Sequence, residues 1–428
     1  MPDTLDDWLA HLEALHPKGV AGIELGLGRV AEVSRALGQQ HRVPLITVAG
    51  TNGKGSTCAM LERILGCAGY RVGLYTSPHL LTYNERVRVA GRAVDSLALC
   101  RSFARVETAR GATALTYFEF GTLAAWECFA EAAVDVIILE VGLGGRLDAV
   151  NIYGSDCAIV TGIDIDHTEY LGNTREAIGF EKAGIFRGGK AAICADSDPP
   201  QSLVEHARTI GAELRLIGRD FGFLRQDGQW QFWAKEGEHI HRRSALAHPA
   251  LRGATQLLNA SAVLAALGTL QERLPVAMQD IRRGLLEVDL PGRFQVIPGR
   301  PLVILDVAHN PQAARVLSDN LGSQLGDGAY HPRTWAVFGM LRDKDVAAVV
   351  RALAGRVTHW LPCSLSGVRA ASAEELARTL ESEGKEAPLR FPSPLAAFRH
   401  AQENAGDDDR ILVFGSFQTV AEILRELA

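Results

Sequence analysis

The stretch Val48–Ser56, VAGTNGKGS, limits what this chain can fold into more than any other. PLITV before it is short, apolar and β-branched, and STCAMLERILGCAG after it carries apolar residues at helical spacing. Strand, glycine loop and helix therefore follow in order. Gly50, Gly53 and Gly55 permit a sharp turn that aims backbone N–H groups at one point, where the helix N-terminus adds partial positive charge. Lys54 adds a full charge. The unit reads as a phosphate cradle. It is not the standard Walker pattern, since only two residues separate Gly50 from Gly53 and a glycine stands between Lys54 and Ser56. The plainer alternative is a glycine-rich turn that binds nothing.

A chain of 428 residues exceeds one ordinary core, so two or three domains are expected. A net charge of −6 argues against a general nucleic-acid binder. The seven cysteines are scattered and contain no CxxC, which fits a reducing setting better than a disulfide framework or a zinc site. MPDTLDDWLAHLEAL is acidic and amphipathic, unlike a secretory leader, and no apolar run reaches membrane-spanning length. The expectation is a cytoplasmic protein with no membrane or nucleic-acid partner.

Residues 1–40 read as two short helices around a glycine-rich segment, Gly22–Gly28, which is a structural loop by default. RVGLYT is a second strand that Pro78 ends, so Ser77 sits at a strand's carboxyl end, where open α/β sheets put ligands. Taken singly, Ser77 reads as a turn residue rather than a ligand. LTYFEFGTLAAWECFAEAA is a helix that Thr116 can cap; Glu119 near its start can simply complement the helix dipole. VDVIIL is a continuous apolar run, as expected of a parallel strand covered on both faces, and it ends on Glu140. A carboxylate there, in one domain with a phosphate cradle, is the usual way to hold Mg²⁺; a solvated strand end is the alternative.

DCAIVTGID is a further strand and leads to His167, which suits a metal or phosphate contact or a helix cap. Asn173 or Thr174 opens a helix whose later part carries Lys182, on its face a surface lysine. Alternation across residues 213–245 suggests an antiparallel hairpin at the domain's edge. Two helices fill 253–286, and LPGRF marks a boundary. The rest repeats a strand–helix rhythm. DVAHNP places Asp306, His309 and Asn310 at one strand's carboxyl end, and GSFQTV places Ser416 at another. The expected organisation is α/β: a phosphate-binding P-loop-type domain over 1–292 with a mostly parallel sheet, and a smaller Rossmann-like α/β domain over 293–428.

Taken together, GTNGKGS, TSPHL, ERVRV, LTYFEFGTLAA, LEVGLGGRLDA, DHTEYLG, EKAGIFR, LPGRF, DVAHNP and GSF stand in the order found in bacterial folylpolyglutamate synthase/dihydrofolate synthase, of the Mur ligase superfamily. The resemblance spans nearly the whole chain. It implies a ligase that uses ATP to join L-glutamate to dihydropteroate and to tetrahydrofolate and its polyglutamates, through an acyl phosphate. By the same resemblance, Asn52, Gly53, Lys54 and Gly55 hold ATP phosphates. Ser77 and Glu140 hold one Mg²⁺ and His167 a second, and Lys182 is carbamylated. Asn259, Arg293 and Asp306 reach the nucleotide from the far side of a cleft. His309 and Ser416 are weaker candidates for incoming glutamate. Gly22-Ile23-Glu24, Thr76, Thr116-Tyr117-Phe118-Glu119 and Leu147-Asp148-Ala149 match the dihydropteroate pocket of bifunctional members. A monomer is expected. The rival readings are a synthase that only extends folates, another Mur-type amino-acid ligase, and a nucleotide-binding switch with no ligase step.

Overall fold

The computed structural model describes residues 2–16, 23–40, 42–226, 228–253, 255–322 and 331–427. They form two compact units, Met1–Ala250 with Leu257–Val288 and Leu251–Gln256 with Asp289–Ala428.

The first unit is built on an eight-stranded sheet. Its strands are β1 (Leu45–Ala49), β2 (Val72–Tyr75), β3 (Val87–Val89), β4 (Arg92–Ala93), β5 (Val136–Glu140), β6 (Cys157–Val160), β7 (Ala191–Cys194) and β8 (Glu213–Leu216). They lie in the order β4-β3-β2-β5-β1-β6-β7-β8. From β2 to β8 all pairs are parallel, and β3 and β4 close one edge antiparallel. β1 and β5 are buried along their whole length, which explains why only Thr47 and the terminal Glu140 interrupt their apolar sequences. Their register sets Glu140 beside Val48, two residues before Gly50. Strand order alone thus brings the end of β5 to the glycine loop.

Alternate strand residues point to opposite faces. On one face Leu45, Ile137, Leu139, Ala158, Val160, Ala192 and Cys194 join Trp8, Phe103, Phe120 and Phe129 in a single apolar cluster. On the other face the helix Lys54–Cys67 packs over β1, β2 and β5, and the helix Met278–Glu287 packs against it. Gly284 permits that approach: a Cβ there would stand 2.5 Å from Ile64 Cγ1. The helix Tyr117–Glu131 opens with a capping box, in which the Glu119 N–H donates to Thr116 Oγ1 (3.2 Å) and the Thr116 N–H to Glu119 Oε2 (2.7 Å).

Residues 213–245 differ from the expected hairpin. β8 pairs parallel with β7 and completes the large sheet. Only after it do β9 (Phe221–Gln226), β10 (Gln229–Glu236) and β11 (His239–Ala247) form a separate three-stranded antiparallel sheet. The alternation in ELRL arises because an edge strand is only half covered, and that pattern does not distinguish a parallel edge from a hairpin arm.

The second unit has a five-stranded sheet in the order β12-β13-β16-β14-β15: β12 (Gln295–Ile297), β13 (Leu302–Asp306), β14 (Thr334–Phe338), β15 (His359–Pro362) and β16 (Arg410–Phe414). β12, too short to register in the sequence pattern, is antiparallel; the rest are parallel. Phe338 lies at the core, stacked on Phe414 with centroids 5.0 Å apart and edge-on to Trp360 at 5.3 Å.

The seven cysteines are all free thiols, and Cys58, Cys128, Cys157, Cys194 and Cys363 are buried. Burial holds each of these five thiols above its ordinary pKa. No helix among the described residues is long and apolar enough to cross a membrane.

Phe338→Ala should leave a cavity among rings that cannot collapse into it. Chemical denaturation of the variant should show a loss of about 3–5 kcal/mol in the transition of the second unit. A change below about 1 kcal/mol would mean that the stacked rings do not anchor this core.

Candidate active site

The glycine loop begins where β1 ends. Gly50 has φ +151°, and a Cβ there would stand 1.7 Å from Thr161 Oγ1, so only glycine fits. Thr161 Oγ1 donates to the carbonyl of Asn52 at 2.6 Å. The Thr51 N–H donates to Gly162 O (2.8 Å), and the Thr51 hydroxyl accepts from Asp164 N (3.1 Å) while donating to Asp164 O (3.0 Å). The loop is therefore stitched to the segment that follows β6. Gly53, φ +89°, opens the helix, and a Cβ there would meet Asn259 Oδ1 at 2.7 Å. Asn259, far away in sequence, thus abuts the loop. Lys54 Nζ donates to Gly50 O (2.9 Å) and Thr51 O (3.3 Å), curled over the turn, and Gly55 lies in the first helical turn.

Ser77 follows β2, and its backbone N–H donates to Glu140 Oε2 at 3.1 Å. Glu140 is buried, so it is no solvated strand end. His167 opens a short helical turn, Thr168–Leu171, from φ +51°, and its N–H donates to Asp166 Oδ1 at 2.8 Å. Lys182, on the helix Arg175–Ala183, is 3% exposed, and the surface-lysine reading fails. Burial first, then the charge of Lys54, lowers its pKa to about 7, while Asp166 and Asp148 act the other way. Lys54, Asp148, Asp166 and Lys182 are thus within electrostatic reach of one another. Among the described residues no three His, Cys, Asp or Glu side chains converge on one point.

The segments expected to form a second pocket also converge, apart from Gly22, which lies outside the described residues. After Ile23 and Glu24, the Gly26 N–H donates to Leu147 O at 3.3 Å. Arg29 pairs with Glu24 and, at 3.1 Å, with Glu119. Glu119 thus has two structural duties, as cap and as ion-pair partner, which its buried carboxylate needs to be stable. Phe118 lies against Gly142, where a Cβ would stand 2.7 Å from Cζ of the ring, and against Tyr75 at 5.7 Å. Tyr117 meets Tyr83 edge-on at 5.8 Å with Arg86 over its ring, and Arg86 O accepts from Thr76 N at 2.9 Å. Asp148 accepts from the N–H groups of Leu143 (2.8 Å) and Val150 (3.1 Å) and heads the turn Ala149–Ile152. Burial outweighs those hydrogen bonds and raises its pKa to about 7.

In the second unit Asp306 ends β13, and its two oxygens accept from Phe294 N (2.8 Å) and Ala308 N (2.7 Å). It fixes the turn that carries Arg293, whose guanidinium lies over Phe417 at 5.1 Å. Burial raises the Asp306 pKa, and Arg293 opposes that rise. His309 Nδ1 lies 2.8 Å from Val307 O. A carbonyl only accepts, so Nδ1 carries the proton, and in the neutral ring Nε2 keeps its lone pair. Ser416 is buried and caps the helix Phe417–Leu427 through Thr419 N at 3.0 Å.

Thr161 and Arg29 escaped the sequence reading. A strand-end hydroxyl was the signal for Thr161. Arg29 gave none, because its partner Glu119 lies 90 residues away.

A phosphate loop on a parallel sheet, strand-end carboxylates and a second α/β unit define a P-loop ATP-dependent ligase of the Mur type. The model of the Mur ligase middle domain matches residues 48–267, and that of the Mur ligase glutamate ligase domain matches 292–417. The dihydrofolate synthase/folylpolyglutamate synthase of Escherichia coli K12 is 45% identical over 421 residues, 98% of this chain and 94% of its own. The structure of E. coli FolC in complex with DHPP and ADP superposes with a TM-score of 0.91 at 42% identity, covering 100% of this chain and 99% of that one. A bifunctional folylpolyglutamate synthase/dihydrofolate synthase solved with Mn, AMPPNP and L-glutamate has a TM-score of 0.89 at 45% identity, over 99% and 98%. This chain belongs to the dihydrofolate synthase/folylpolyglutamate synthase family of the Mur ligase superfamily.

Gly50→Ala should destroy the phosphate loop without unfolding the sheet, because the added methyl and Thr161 Oγ1 cannot share the same space. Calorimetric titration with ADP should detect no binding, while the far-UV circular dichroism remains that of the parent. Retained ADP affinity would show that the loop is not the nucleotide site.

Proposed function

We propose that this chain joins L-glutamate to dihydropteroate, and to folates already carrying glutamate, in an ATP-dependent reaction that passes through an acyl phosphate. The observation that carries the proposal is the convergence of Phe118, the Asp148 turn and the Glu24–Arg29 segment into one lining in the same unit as the phosphate loop. The DHPP and ADP held by the E. coli relative support it.

In this reading the acceptor carboxylate attacks the γ-phosphate of ATP, and ADP leaves. Both reactants are anions. Lys54, with the N–H groups of Asn52, Gly53 and Gly55, offsets the charge that gathers in transfer. Asn259 supports the loop at Gly53, and Arg293 and Asp306 are the second unit's proposed contribution to the nucleotide. Ser77 and Glu140 would hold one Mg²⁺ and His167 a second, and such ions supply neutralisation of phosphate charge. The amine of glutamate then displaces phosphate from the acyl carbon to give the amide. His309 is proposed to take the amine's proton at Nε2. Ser416 caps a helix beside it and is the weaker candidate for touching glutamate.

Lys182 is proposed to react, as the neutral amine, with CO₂: nitrogen attacks carbon, one proton leaves, and a carbamate anion remains. A buried ammonium beside Lys54 is repelled, whereas a carbamate is attracted to cations. With the pKa lowered to about 7, the neutral form dominates above that value and is lost below it. Activity should therefore fall as pH drops through about 7, and added bicarbonate should raise this acid limb. Lys182→Ala should be nearly inactive and partly restored by short carboxylic acids. An acid limb that ignores bicarbonate, or a Lys182→Ala protein of parental activity, would refute the carbamate.

For dihydropteroate the reacting carboxyl sits on the aminobenzoate ring, so the pterin must lie one glutamate closer to the phosphates than it does in an extended folate. Phe118 can lie against the flat ring and Asp148 can bond a pterin edge. ADP release with ATP, glutamate and either acceptor tests the whole reading. Phe118→Ala and Asp148→Ala should lose about tenfold or more with dihydropteroate and much less with a folate that already carries glutamate. Equal losses would argue against a separate nearer pose, and no dihydropteroate ligation by the parent would leave a folate-extending synthase only.

A further inference from the structure

The segment after β6 carries Thr161, which supports the glycine loop, then Asp164, which is stitched to Thr51, then His167. It belongs to no helix or strand until Thr168. Irregular backbone of this kind keeps a fixed shape only where side chains hold its peptide groups.

Thr51 holds the peptide groups of Asp164, and Arg175 and Asp196 hold those of Ile163. Asp196, 7% exposed just past β7, accepts the Ile163 N–H at Oδ2 (2.6 Å) and the Asp198 N–H at Oδ1 (2.9 Å). Arg175, in the first turn of the helix that carries Lys182, donates from Nη1 to Ile163 O (2.5 Å) and from Nη2 to Asp196 Oδ1 (3.2 Å). Its Nη2 also donates to Asp198 O. One residue, Ile163, thus has its N–H held by the carboxylate and its C=O by the guanidinium, and the two holders are bound to each other. The planar fork of arginine is what reaches Ile163, Asp196 and Asp198 at once; a lysine offers a single point.

We infer that Arg175 and Asp196 are positioning residues of the ligase. They fix the Ile163 peptides from which Asp164 and His167 are presented to the phosphate loop and the metal. The inference rests on the function proposed above and deepens it, by naming residues that act through the backbone of Ile163. It accounts for a half-buried ion pair that core packing alone does not call for. Removing an outer partner of this kind typically lowers metal affinity or turnover about 10–100-fold.

The test uses the full chain. Asp196→Asn keeps size and one acceptor but sets an NH₂ against a donor; Arg175→Lys keeps the charge and loses the fork. Mn²⁺ affinity in the presence of ADP is measured by electron paramagnetic resonance, alongside kcat for glutamate addition and the melting temperature. Both variants should bind Mn²⁺ about tenfold or more weakly and lose kcat by a similar factor per folded molecule. A lowered melting temperature with parental Mn²⁺ affinity and kcat in the folded fraction would overturn the inference and leave a purely structural pair. If Asp196→Asn does not fold, Arg175→Lys decides alone by the same two readings. A parent that makes ADP with neither acceptor would instead refute the underlying reading, whatever the variants do to Mn²⁺ affinity.

Discussion

The close approach of Gly50 to Thr161 is the contact on which the first unit's chemistry depends. With no side chain at Gly50, the backbone leaving β1 can lie directly against the strand-end hydroxyl of its neighbour. That hydroxyl then holds the Asn52 carbonyl. Lys54 then folds over the turn that results, its Nζ donating to the Gly50 carbonyl. Parallel pairing supplies the rest, because β1, β5 and β6 all end on the same side of the sheet.

Much of this was legible in the sequence because it is written locally. A strand, three glycines, a lysine and a helix are neighbours in the chain, and so are Glu140 and the apolar run before it. The buried state of Lys182 was not legible in that way. Its helix has an ordinary amphipathic pattern, and only the burial of the side chain in the folded unit shows that the lysine faces inward. The ordered set of motifs, not any property of Lys182 itself, pointed to it. Residues 213–245 show a different limit. Alternation reports half-burial, and a half-covered parallel edge looks the same as a hairpin.

The buried and half-buried charges divide into two kinds. Arg29–Glu119 and Arg175–Asp196 each tie segments that sequence separates, and each leaves few unsatisfied lone pairs. By contrast burial outweighs the surrounding charges at Asp148 and Lys182 and moves both toward neutrality near pH 7. The first kind specifies shape; the second keeps groups chemically poised, at some expense of stability. The second kind lies within electrostatic reach of Lys54, so the glycine loop is bordered by the least comfortable side chains.

The cysteines give the fold a built-in clock. A thiol reacts as its thiolate, and five of the seven are buried and held above their ordinary pKa. Reagents in solution therefore reach them only when the surrounding structure opens. Cys58 lies in the helix behind the glycine loop, and Cys363 lies just beyond β15 in the other unit. The labelling rates of these two thiols would time the opening of each unit separately, with no probe added to the chain.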